Sequence, residues 1–173
     1  MADTYSGGSA LDAGSLDAAA AEAVADGGGF TWDGQTALQK MRAFIRAFDA
    51  GVLDRMSVDY TDQMPDNAGL FPSGLVEIRR RTDILGHVTV ESQYNFALYT
   101  VLEKYGDAPD NAEWQMRFQE WVQEQSARGL APAFGDDPRS ERITAQNGQL
   151  YSAGDEGTAL YAIQINATFT KRF

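Results

Sequence analysis

The chain has no cysteine and a single histidine, His87. Disulfides and thiolate metal sites are therefore excluded, and a Ser-His-Asp triad or a multi-histidine metal cluster has too little to work with. Long apolar runs are missing too. No stretch approaches the ~18 residues that a membrane-spanning helix requires. Met1 to Ser9 lacks both a basic and an apolar region and does not read as a secretory signal. Positive charge is scarce: 14 Lys and Arg stand against 25 Asp and Glu, a net charge of -11. Such a surface repels phosphate and argues against sequence-reading of DNA, while an acidic channel wall would let DNA slide past.

Chemical signatures are equally sparse. There is no G-x-x-x-x-G-K-[ST] loop, no G-x-G-x-x-G fingerprint and no G-x-S-x-G elbow. Two carboxylate pairs, Asp59 with Asp62 and Asp155 with Glu156, sit in or near turns, where Asp is common for local hydrogen-bonding reasons. The segment Asp107 to Asn111 fails the calcium-loop spacing. His87, on the polar side of a strand start, reads as a surface residue. No catalytic, cofactor-binding or metal-binding residue is expected, and the chain is not read as an enzyme.

What is present is a contrast between two regions. Residues 1–29 hold nine alanines, six glycines and five acids (Asp3, Asp12, Asp17, Glu22, Asp26), with no Lys or Arg. Too few large apolar side chains occur there to offset the entropy of ordering, so a flexible acidic arm is expected. Residues 30–173 are expected to form one α+β domain.

Within that domain, Asp33 to Ala50 reads as a helix, with Leu38, Met41, Ile45 and Phe48 on one stripe and Asp33 or Thr36 at its cap. Its cations Lys40, Arg42 and Arg46 read as a solvated face. Leu53 to Thr61 reads as a strand, and 62–74, with two prolines, as a loop. Leu75 to Thr82 and Gly86 to Leu102 read as strands from their period-two alternation, with Val76 and Ile78 opposite Glu77 and Arg79. Asp110 to Arg128 reads as a second helix, with capping-box spacing at Asp110 and Glu113, a buried stripe of Trp114, Phe118, Trp121 and Val122, and Gly129 as its stop. Arg142 to Ser152 and Thr158 to Arg172 close the domain as strands. The expected architecture is a mostly antiparallel five-stranded sheet with two helices packed on one face.

Four segments carry a family likeness by their order and spacing: Leu53-Asp-Arg-Met-Ser-Val-Asp-Tyr60; Gln93-Tyr-Asn-Phe-Ala-Leu98; Phe118-Gln-Glu-Trp-Val-Gln-Glu-Gln125 followed by Gly129-Leu130 and Pro132; and Asn147-Gly-Gln-Leu-Tyr151 followed by Ala159-Leu-Tyr-Ala-Ile-Gln-Ile165. Across residues 36 to 170 the chain resembles the tail-terminator or minor-capsid group of small tail proteins from phages of Gram-positive bacteria. The resemblance implies a tail-terminator-like fold and a closed, hexameric ring. Such a ring caps the tail tube at its head-proximal end, meets the head-side connector, and lets genomic DNA through its lumen without specific binding. It implies no cofactor, no membrane partner, and a place in the virion tail after assembly in the host cytoplasm. The acidic arm departs from the family pattern, whose members start near the first helix.

A ring of identical subunits needs heterologous contacts, and long hairpins and sheet edges supply them. The residues expected at those contacts are Arg79, Arg81, Glu91, Gln93, Asn95, Gln164, Asn166 and Thr168. Three alternatives remain: a head-completion or connector protein of the same virion, an acidic DNA-mimic binding protein, and a carboxylate hydrolase.

Overall fold

The computed structural model describes residues 36–49, 53, 55–59, 64, 66–103, 108–153 and 157–173. All belong to one unit, Gln35–Phe173. The expected arm at 1–29 lies outside the described residues.

The first helix, α1 (Ala37–Arg46), starts at Thr36, whose hydroxyl accepts from the Gln39 N–H while the Gln39 side chain accepts from the Thr36 N–H. This reciprocal capping box satisfies two donors that a helix start leaves free. Met41 and Ile45 are fully buried, as the stripe predicts. The helix is shorter than expected. Its cations are not a solvated face either: Lys40 Nζ donates to the Ala133 carbonyl at 3.0 Å and Arg42 Nη2 to the Met56 carbonyl at 2.6 Å. They tie α1 to the backbone at Ala133 and Met56.

Strand β1 (Met56–Val58) is shorter than the expected 53–61, because Leu53 is helical and Asp59 leaves the strand in a left-handed conformation, φ 54°. It pairs parallel with β2 (Asn67–Thr82), which makes the sheet mixed. The expected loop at 62–74 is corrected here, since β2 already begins at Asn67. Pro72 is tolerated because β1 reaches only to Leu70, so among the described residues no neighbour needs the N–H that proline lacks. A register break between Pro72 and Gly74 absorbs the irregularity.

Strands β3 (Val88–Glu103) and β5 (Thr158–Arg172) pair antiparallel, and β4 (Arg142–Ala153) flanks β5. The sheet order is β1-β2-β3-β5-β4. The second helix, α2 (Ala108–Ala127), begins two residues before Asp110, so Asp110 lies inside the first turn rather than at the cap. Its end matches expectation. Gly129, at φ 70°, donates to the Ser126 carbonyl, and Leu130 donates to that of Gln125, the bond pair of a Schellman stop.

Both helices bury their apolar stripes on one face of the sheet. Met41, Ile45, Phe118 and Val122 meet Leu70, Phe96, Leu98, Ile143, Ile163, Ile165 and Phe169 in one core. Trp114 and Trp121 lie at its rim against Phe48.

One buried charge organises the segment between α2 and β4. Glu141 is 1% exposed, and its carboxylate accepts from the N–H groups of Phe134 and Gly135 at 2.7–2.9 Å. Gly135 is required there, since a Cβ would overlap the Thr170 carbonyl. The next residue, Asp136, donates its N–H to that carbonyl and accepts from the Arg172 N–H, so the loop substitutes for a strand along the end of β5. Burial raises the Glu141 carboxyl above the ordinary carboxylate range, opposed by the two N–H donors and by nearby Lys40.

Two outcomes are expected. Phe118→Ala should cost about 3–5 kcal/mol in urea unfolding, because a fully buried ring leaves a cavity. Glu141→Leu should cost about 2–4 kcal/mol by leaving two N–H groups unmet. The raised carboxyl makes the folded state the better proton binder. Its contribution is therefore complete below the ordinary value of about 4.3 and is lost as pH rises through the raised one. Relative to Glu141→Gln, which does not titrate, the native protein should lose stability over that interval in unfolding curves taken at stepped pH.

Candidate assembly surface

The face of the sheet opposite the helices is read directly from the pairing register, because residues directly opposite on neighbouring strands share a face. Arg81, Thr89 and Arg172 form one row across β2, β3 and β5. The next row is Arg79, Glu91 and Thr170. Then follow Val76, Gln93, Thr168 and Arg142; Gly74, Asn95, Asn166 and Thr144; and Phe71, Ala97, Gln164 and Gln146. All eight residues expected at contacts therefore lie on this one open face.

The expected alternation in β2 is corrected. A register break between Glu77 and Arg79 puts Val76 and Arg79 on the same face, whereas uninterrupted alternation would have separated them. Arg80 does point away from Arg79 and Arg81, as expected. It lies across from Val90 and forms a bidentate pair with Glu77, 2.7 and 3.0 Å.

The open face has a gradient of chemistry. Near the β2–β3 turn, three arginines (79, 81 and 172) stand against one acid, Glu91. Among the described residues, the Arg79, Arg81 and Arg172 side chains take no ion pair or hydrogen bond. Amides fill the middle, where Gln93 Nε2 donates to Asn95 Oδ1 at 2.6 Å and Asn147 Nδ2 to Gln164 Oε1 at 3.0 Å. Asn95, Asn147, Gln149 and Gln164 line a depression of about 270 Å³. The far end is aromatic, with Tyr99 edge-on to both Phe71 and Tyr151.

Sequence reasoning missed the hairpin tip. Residues 83–87 form a turn held by Asp83. Its Oδ1 accepts from the Leu85 and His87 N–H groups at 2.8 and 2.9 Å, and its Oδ2 meets His87 Nδ1 at 2.9 Å. The Gly86 N–H closes on the Asp83 carbonyl. With Asp first and Gly fourth this is favourable type I turn chemistry, and the signal was available in Asp-Ile-Leu-Gly. His87 is exposed, as expected, and helps hold the turn. The turn presents Ile84 fully to solvent, with Leu85 78% exposed. Leu75, Val76 and Ile78 add exposed apolar surface behind it.

Of the carboxylate pairs, Asp59 ends β1, while Asp62, Asp155 and Glu156 lie outside the described residues. Among the described residues no group of three or more potential metal ligands gathers, and no helix is long and apolar enough to cross a membrane.

The hydrogen bond from His87, with backbone N–H groups behind it, holds the Asp83 carboxyl below the ordinary carboxylate range. Its contribution to hairpin order is present above about 3.9 and lost as pH falls through the lowered value. Asp83→Ala should therefore speed amide exchange at Leu85 and His87 at neutral pH, and acidification should narrow the difference from the native chain.

No protein-family model matches the chain, and a search of curated proteins finds no match.

Proposed function

We propose that this chain is a non-catalytic structural subunit of a closed ring at the head-proximal end of a phage tail. There it ends growth of the tail tube and joins the tail to the head connector. Its partners on this reading are its own sister copies, the tail tube protein and the connector, with genomic DNA passing through the lumen.

The observation that carries the reading is a sheet face that no described element covers, continuous with a hairpin whose tip offers two aliphatic side chains to solvent. A rigid turn that holds Ile84 and Leu85 outward has a local cost in water, which burial in a neighbour would recover at roughly 25 cal/mol per Å² of apolar surface. A head-to-tail contact joins two different patches, so the tip of one copy needs a receiving surface on the next. The arginines of the open face suit a neighbour of net charge -11. A DNA mimic would present carboxylates in their place, which favours the ring reading over that alternative.

Electron microscopy and light scattering of the purified protein, with and without tail tubes, test the reading. Discrete rings are expected, and Ile84→Asp with Leu85→Asp should shift them to monomers without changing the thermal midpoint by more than a few degrees. Strict monomers in the presence of tubes would end the proposal.

A further inference from the structure

A second surface lies at the β4 edge of the sheet, where Arg142 and Thr144 border the open face. Between the last turn of α2 and the start of β4 lies an open cleft of about 650 Å³. Three arginines line it: Arg128 from the end of α2, Arg139 from the loop, and Arg142 from the first residue of β4. Gln123, Ser126 and Thr144 complete its polar lining, and among the described residues no carboxylate does.

The hydrogen-bond inventory of this lining leans to donors, with Gln123 and Thr144 supplying the neutral side-chain acceptors. Guanidiniums donate only. The Ser126 Oγ already accepts the Ile143 N–H at 3.0 Å, which leaves its hydroxyl hydrogen to donate. The Arg142 Nη1 is fixed by the carbonyls of Arg139 and Glu141 at 3.2 and 2.9 Å, which orients the guanidinium and leaves its other nitrogens available. The Arg139 side chain takes no partner among the described residues, although its N–H is held by Asp137 Oδ1. Arg128 meets Glu124 at 3.3 Å in an exposed pair that solvent screens. The helix end adds little negative potential here, because the Gln125 and Ser126 carbonyls are already bonded by Leu130 and Gly129.

Three like charges around one cleft repel, and an anion between them relieves that repulsion. A donor-rich, acceptor-poor site is complementary to a ligand with several negatively charged oxygens, and arginine forks recognise such oxygens two at a time. The volume suits a small molecule larger than a single phosphate group. We infer that this cleft is a binding site for a compact oxyanion, a polyphosphate- or polycarboxylate-class ligand, held by Arg128, Arg139 and Arg142. Every lining residue comes from one chain, so the site stands whether or not the chain forms a ring.

Calorimetric titration decides it, with sodium tripolyphosphate as the phosphate probe, citrate as the carboxylate probe, and sodium chloride at matched ionic strength. Saturable one-to-one binding of at least one probe is expected. The preferred probe tells phosphate from carboxylate chemistry. Arg139→Ala and Arg142→Lys should each weaken it by about tenfold, while Arg79→Ala with Arg81→Ala should leave it unchanged. The inference is overturned if neither probe saturates, if Arg139→Ala binds as the native chain does, or if the open-face variant loses as much affinity as the cleft variants. Arg139 is exposed and outside the core, so that variant reads out binding even if Arg142→Lys alters the fold.

Discussion

The antiparallel ladder between β3 and β5 is the constraint on which the other elements depend. Every residue from Thr89 to Glu103 has a partner on β5, with no register break between them. In such a ladder a slip of β5 by one residue would turn Ile163 and Ile165 outward and bring Gln164 and Asn166 into the core. Packing forbids that exchange, so the two faces of the sheet are fixed by the ladder alone. The helices then have one apolar surface to cover, and the amides and arginines are left on the other.

Irregularity is confined to the strands outside this ladder. β2 breaks register twice against β3, and β4 twice against β5. At the end of β5 beyond the start of β4, the Gly135–Asp136 backbone takes over the hydrogen bonding, and Glu141 holds that segment in place. Charge is divided along the chain as well. Six acids and no bases fall in residues 1–35, so the remaining residues carry a net charge of only -5. Clusters of arginine on the open face and in the cleft are thus less anomalous than the whole-chain charge suggests.

Much of this was legible from periodicity. The range Thr158–Arg172 is as expected because β5 has one apolar and one polar face along nearly its whole length. The six residues chosen from β3 and β5 share a face for the same reason. The start of β2 was not legible, because Pro72 and Gly74 carry loop chemistry and only an unpartnered strand side makes them acceptable in a sheet. The placement of Arg79 depended on a register break that side-chain alternation does not announce. Glu141 gave no signal at all, since its partners are backbone N–H groups six and seven residues away. The cleft joins Arg128 to Arg139 and Arg142 through tertiary structure, which spacing along the chain does not reveal.

The broken outer strands have a consequence for how this sheet could be extended. β1 covers only three residues of β2, so among the described residues the stretch from Phe71 to Thr82 is in effect a sheet margin. Proline, two dislocations of register and three successive guanidiniums make that margin a poor template for another extended chain. Cross-β stacking, which proceeds indefinitely, is thereby disfavoured. Any contact made along this margin would instead run through side chains of fixed geometry, and contacts of that kind can close on themselves at a finite number of copies rather than run on into fibrils.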